Sequence, residues 1–151
     1  MEIERKWMVT GWPEGLTQTS DYQMDQGYVS VRPTVRIRRE ALQGGRTALV
    51  LCFKGAGGLS REEIETEINA ELFAKLEHLI GKPLIHKEYH AYRLRDGHLL
   101  ECSIVDSGVF SYAEVEFASE ADAMAWTPLD CLGKETTYEQ GMSMRDYWKN
   151  R

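Results

Sequence analysis

Charged side chains recur at every second position in segment after segment of this sequence. Glu2, Glu4 and Lys6 form one such row, Arg36 and Arg38 a second, Glu63, Glu65 and Glu67 a third, and Glu114 and Glu116 a fourth. A spacing of two puts side chains on one face of a β-strand. Like charges then lie roughly 7 Å apart and repel unless a group of opposite sign sits over them. A divalent cation would answer the glutamate rows, and a phosphate the arginine rows. The plain alternative is that each row is the solvated outer face of an ordinary antiparallel sheet. Glutamate is depleted in strands, however, where Thr, Ser or Lys would serve a wet face as well. A closed barrel with a polar lumen and an apolar outside explains all four rows at once, and about eight strands leave room for a small ligand.

The elements that must hold these rows are legible in the alternation. Glu2 to Val9, Tyr22 to Val31, Val35 to Glu40 and Thr47 to Phe53 read as strands, separated at Arg32-Pro33-Thr34 and Gln43-Gly44-Gly45 by turn chemistry. A meander is their simplest topology. After the Gly-rich loop at 55–58, Ser60 to Ile68 alternates again. The period then changes: Asn69 is an N-cap for a helix over Ala70 to Ile80, whose Leu72, Phe73, Leu76, Leu79 and Ile80 make an apolar stripe ended by Gly81 and Pro83. Leu84 to Arg95 and His98 to Val105 flank an Asp96-Gly97 hairpin signal, and Tyr112 to Phe117 follows as a further strand. Ser119 caps a short second helix, and Met142 to Trp148 suits a third. The expected class is α+β, mainly β, an antiparallel barrel with flanking helices.

The 151 residues suit one domain, spanning 1–151. The net charge of −6 disfavours nucleic acid and anionic membranes as partners, while leaving room for a small anion held by a local basic cluster. Cys52, Cys102 and Cys131 are an odd number without CxxC spacing, against a disulfide framework and against a zinc site. The opening residues are charged where a signal peptide needs an apolar core, and no apolar run approaches the roughly 20 residues that span a bilayer. A cytoplasmic location is expected, with a homodimer an open alternative to a monomer.

In order along the chain, Glu2-Ile3-Glu4-Arg5-Lys6, Arg36-Ile37-Arg38, Phe53-Lys54-Gly55, Leu59-Ser60-Arg61 with its following glutamates, Lys87, and Ala113-Glu114-Val115-Glu116 resemble the motifs of the CYTH domain. This is the superfamily of triphosphate tunnel metalloenzymes, which includes inorganic triphosphatases, thiamine triphosphatases and some adenylyl cyclases. The resemblance runs from Glu2 to Phe117. It implies an eight-stranded antiparallel tunnel and metal-dependent hydrolysis of a triphosphate, inorganic triphosphate first among the substrates, with Mg²⁺ or Mn²⁺ as cofactor. Carboxylate oxygens suit such hard cations, and Glu2, Glu4, Glu114 and Glu116 are the candidate ligands. Arg36 and Arg38 present planar forks to phosphate oxygens, and Lys6, Lys54 and Lys87 act as point charges. Lys54 is counted with Glu63 and Glu65 as catalytic. Which of Glu63, Glu65 or a metal-ligand glutamate takes the proton from the attacking water is left open.

Two positions depart from the family pattern. Lys87-Glu88-Tyr89 stands where many members have Lys-x-Arg, and Glu101-Cys102-Ser103 stands where members have Glu-x-Asp. These changes admit alternatives to hydrolysis of inorganic triphosphate: an adenylyl cyclase, a thiamine triphosphatase, or a weak binding module for polyphosphate or nucleotides. His78, His86, His90 and His98 lack ligand spacing and read as surface or satisfied residues. The Gly-rich loop lacks the ending of a P-loop. Cys102 is expected to point inward as a buried thiol.

Overall fold

The computed structural model describes residues 1–151, with every side chain except that of Gln43. Nine strands form one antiparallel sheet: β1 (Glu2–Met8), β2 (Thr17–Val31), β3 (Thr34–Ala41), β4 (Thr47–Lys54), β5 (Ser60–Arg61), β6 (Glu63–Glu67), β7 (Ile85–Arg93), β8 (Leu99–Val105) and β9 (Phe110–Glu116). Three α-helices accompany them: α1 (Ala70–Ile80), α2 (Glu120–Ala125) and α3 (Met144–Lys149). The strand order is β5-β1-β9-β8-β7-β2-β3-β4-β6. Its two edge strands are consecutive pieces of one segment, interrupted only at Glu62, so the sheet closes on itself as a barrel. This accounts for nine strands where eight are expected. The segment 60–68 pairs with β1 through Ser60 and Arg61, then crosses to β4 through Glu63 to Glu67.

Sidedness follows from alternation. On the outside of β1, β7, β8 and β9, Trp7, Tyr92, Leu100, Cys102, Ala113 and Val115 pack beneath α2 and the surrounding loops. α1 lies over β2 and β3 and buries Phe73 there, with the Arg39 guanidinium 4.7 Å from that ring. Its boundaries obey local chemistry: the Asn69 side chain accepts from the Leu72 amide, and Gly81 adopts the left-handed conformation that ends the helix. α3 packs Met144 and Trp148 against Tyr28, Ile85, Val105 and Tyr112. Gly27 makes that approach feasible, since a Cβ there would stand 2.6 Å from a Leu84 methyl and 3.2 Å from the Trp148 ring. No described helix is long and apolar enough to cross a membrane.

Arg5 sits on the apolar outer side of β1 and is fully used there. It makes a two-pronged ion pair with Glu135, at 2.7 and 2.9 Å, and donates to the carbonyls of Ala123 and Trp126 at the end of α2. Cys102 differs from expectation. It is buried, but on the outer face beside Trp7 and Leu100, because Glu101 and Ser103 take the lumen positions of β8. Of the histidines, His86 contacts Asp25, His90 lies between Asp21 and Tyr92, and His98 contacts Asp96, while His78 is exposed on α1.

Candidate active site

The lumen is a cavity of about 770 Å³. Every residue singled out from the sequence lines it: Glu2, Glu4, Lys6, Arg36, Arg38, Lys54, Glu63, Glu65, Lys87, Glu114 and Glu116. The rows at i, i+2 spacing therefore face inward, and the solvated-sheet alternative fails. Glu67 is the exception, paired at the surface with Arg46 at 2.8 Å.

One wall is acidic. β1 and β9 run antiparallel with Glu4 opposite Glu116 and Lys6 opposite Glu114. Carboxylate oxygens of Glu2, Glu4 and Glu116 come within 4.8 Å of one another. Burial, with Glu114 and Glu2 close by, pushes the Glu4 carboxyl up to about 10. Glu114, buried yet hydrogen-bonded to Glu4 and beside Lys6 and Lys87, is held at about 2. The two share one proton, as crowded carboxyls do. Burial and Glu101 raise Glu116 to about 7. Three converging carboxylates whose own repulsion favours protonation are a donor set suited to a hard divalent cation, which would take the place of those protons.

The facing wall is basic. Arg36 is 7% exposed, its Nε is buried without a partner, and it makes no hydrogen bond or ion pair among the described residues. Lys87, 3% exposed, has a single hydrogen-bond partner among them, the Tyr112 hydroxyl at 2.9 Å. Burial and the nearby Arg38 hold its ammonium well below the usual lysine range. Arg38 donates to Gln26 at 3.2 Å and to Glu40 at 3.4 Å. Buried cations without counter-charges are costly unless an anion joins them. Between these walls Lys54 pairs with Glu2 at 3.3 Å and with Glu63 at 3.4 Å. Glu63 is raised by burial, but its hydrogen bond with Glu2 and the charges of Lys54 and Arg36 outweigh this and hold it ionised. Glu63 and Glu65 also approach Cys52 in a second close group.

Sequence reasoning assigns no role to several lumen residues, Arg61 among them although it lies in the Leu59-Ser60-Arg61 motif. Arg61 reaches both Glu2, at 3.3 Å, and Glu4, at 3.5 Å, so it organises the acidic wall. Its place two residues before Glu63 on the same alternation was the available signal. Tyr22, Tyr28 and Tyr112 line the cavity, but aromatic residues on strands give no hint of which face they take. The strap at 136–146 also lines it, and before it runs into α3 it carries no periodicity. The two departures from the family pattern turn out to be cross-strand partners: Tyr89 on β7 stands opposite Ser103 on β8.

Comparison with known proteins agrees with this geometry. An inorganic triphosphatase of Nitrosomonas europaea is 33% identical over 141 residues, covering 92% of this chain and 91% of that protein. The chain belongs to the triphosphate tunnel, or CYTH, superfamily. No family model matches it. The crystal structure of an inorganic triphosphatase superposes with a TM-score of 0.66 at 25% identity, over 97% of this chain and 93% of that one. A putative adenylyl cyclase from Hippeastrum, described as having a dominant triphosphatase activity, shares the fold with a TM-score of 0.62 at 18% identity, over 82% and 83% of the chains. The tunnel fold thus places an acidic and a basic wall across one lumen.

Proposed function

We propose that this protein hydrolyses a short triphosphate, inorganic triphosphate first, to diphosphate and phosphate, with Mg²⁺ or Mn²⁺ as cofactor. The observation that carries the reading is the pair of buried cations, Arg36 and Lys87, which among the described residues make no ion pair and a single hydrogen bond, to the neutral Tyr112 hydroxyl, across the lumen from three converging glutamates. The likeness to an inorganic triphosphatase over nearly the whole of both chains supports the same substrate.

Phosphoryl transfer is governed by positioning and charge neutralisation more than by covalent chemistry. Arg36 and Arg38 would grip phosphate oxygens with planar forks, and Lys87 and Lys6 would add point charges. Glu2, Glu4 and Glu116 would hold the divalent cation, with Glu114 completing the acidic wall. That cation would supply further neutralisation of the phosphate oxygens and orient the reactants. Glu65, a metal-ligand glutamate or Glu63, which is held ionised beside Lys54, would accept a proton from the attacking water. Lys54 fixes Glu63 and Glu2 relative to one another. The free thiols, two of them buried, support a reducing, cytoplasmic setting.

A second reading has its own observation. Tyr89 and Ser103 put neutral groups at two family positions that are charged in relatives, which favours a binding module that retains triphosphate without cleaving it. A phosphate-release screen over triphosphate, diphosphate, ATP and thiamine triphosphate, with Mg²⁺ and with Mn²⁺, decides between them. Release from inorganic triphosphate above the others is expected. Tight binding with no release from any of them would establish the module instead.

A further inference from the structure

Two lumen ammoniums, those of Lys6 and Lys87, converge on one buried phenol, and we propose that Tyr112 is a positioning residue that holds both toward the bound triphosphate. The inference rests on the triphosphate reading of the site and gives a role in it to a side chain outside the charged rows.

Tyr112 shares the lumen row of β9 with Glu114 and Glu116 and is 2% exposed. Ser103 of β8 stands directly opposite it, and the lumen carboxylates of these two strands, Glu101 and Glu114, pair with each other one step away. Such a step is roughly 7 Å along a strand face. Glu101 already accepts from the Tyr89 hydroxyl at 2.6 Å. At the level of Ser103 the lysines therefore meet a phenol and no carboxylate. Lys87 Nζ donates to the Tyr112 hydroxyl at 2.9 Å, the one hydrogen bond of that side chain among the described residues. Lys6 Nζ lies over the ring of the same tyrosine, 4.2 Å from its centroid, a distance at which the π face attracts a cation.

Lys6 and Lys87 come from β1 and β7, which β9 and β8 separate in the sheet. The short Ser103 side chain leaves the phenol room to reach across β8. A lysine carries its charge on a flexible four-carbon stem, so placing it costs side-chain entropy. A carboxylate would fix the ammonium but cancel the charge that phosphate needs. A phenol fixes it through a lone pair or a ring face and stays neutral. Of the donors on the Lys87 ammonium, one goes to Tyr112 and the others remain for phosphate oxygens.

The test is a double-mutant cycle on the full chain with Tyr112→Phe, Lys87→Met and their combination. Titration with sodium triphosphate in excess chelator gives Kd apart from turnover, phosphate release with Mg²⁺ gives KM and kcat, and circular dichroism confirms each fold. Phenylalanine keeps the ring and its stacking on Phe110 and removes only the hydroxyl. Tyr112→Phe should raise Kd and KM about five- to tenfold and leave kcat within about twofold, since a displaced binding charge weakens ground and transition states alike. In the Lys87→Met background the same change should matter less than about twofold, because the lysine it positions is gone. Tyr112→Leu, which also removes the ring, should weaken binding further, and that added loss should vanish in a Lys6→Met background. Equal losses with and without Lys87, or an unchanged Kd in both tyrosine variants, overturn the proposal. A coupled loss in Kd from a protein that never releases phosphate upholds the role of Tyr112 and overturns the hydrolytic reading, while a wild type that binds no triphosphate overturns both.

Discussion

Replacing Glu4 by glutamine should make the metal-free protein more stable at neutral pH, even though it removes one of the proposed metal ligands. The Glu4 side chain is 13% exposed and its carboxyl is raised from 4.5 to about 10 by burial and by Glu114. A carboxyl raised on folding gives stability that is fully present below the unfolded value and is lost as pH climbs toward the folded one. From 4.5 to 7 the folded state keeps a proton that the unfolded chain releases, at about 1.4 kcal/mol per pH unit, so roughly 3 kcal/mol is an upper bound for the loss. Glu114, held at about 2, acts in the opposite sense only below 4.5 and does not offset it in this window. Neighbouring Arg61 and Lys54 and residual solvent reduce the effect to about 1–2 kcal/mol. Glutamine imitates the protonated carboxyl without needing the proton. Thermal unfolding in excess chelator from about pH 5 to about pH 8 should then show the wild type falling more steeply than Glu4→Gln, whose remaining slope comes from Glu116, raised to about 7 by burial and Glu101, with the variant ahead by about 3–6 °C at neutral pH. Added Mg²⁺ should stabilise the wild type and do less for the variant. A variant that is less stable than wild type at neutral pH, or that keeps the same pH slope, would refute the crowding of Glu4 and Glu114.

Arg36→Ala should lower kcat/KM for triphosphate about 10–100-fold, the worth of one charge-assisted contact to the transferring group, while leaving metal-free stability unchanged or improved because Arg36 has no hydrogen bond to lose and its burial is costly. Steady-state kinetics with a parallel melt reads both, and unchanged kinetics would mean that phosphate lies elsewhere. Arg5→Ala should cost about 2–4 kcal/mol, since it leaves Glu135 and two helix-end carbonyls without their donor. Urea denaturation checks this, and a loss under about 0.5 kcal/mol would show those bonds to be dispensable.

Much of the site was legible because its chemistry forces an unusual pattern. Glutamates and arginines at every second position have little reason to recur on strands unless they face a polar lumen, and Glu2, Glu4, Arg36, Arg38, Glu114 and Glu116 all line one. α1 was legible to its ends because Asn69 and Gly81 mark both termini. The first turn of β2 was not, since Thr17 to Asp21 is polar and lacks β-branched alternation beyond its threonines. The facing of Cys102 was misread because both sides of β8 are buried, so hydrophobicity alone cannot tell lumen from exterior. The division of the segment 60–68 into two strands depends on β1 and β4 meeting at the barrel seam, a long-range event that no local signal records. The strap was invisible for the same reason. Its residues act through where α3 is anchored, by Arg151, Asp106 and the packing of Trp148.

The central claim is that the acidic wall holds a divalent cation without which the basic wall cannot complete the reaction. Phosphate release from inorganic triphosphate, measured on wild type with Mg²⁺, in excess chelator and again after Mg²⁺ is restored, tests it most directly, with Glu116→Gln in Mg²⁺ as the companion. The account predicts release with the cation, none in chelator, recovery on restoration and little or none from the variant. Full turnover in chelator, or undiminished turnover by Glu116→Gln, would contradict it.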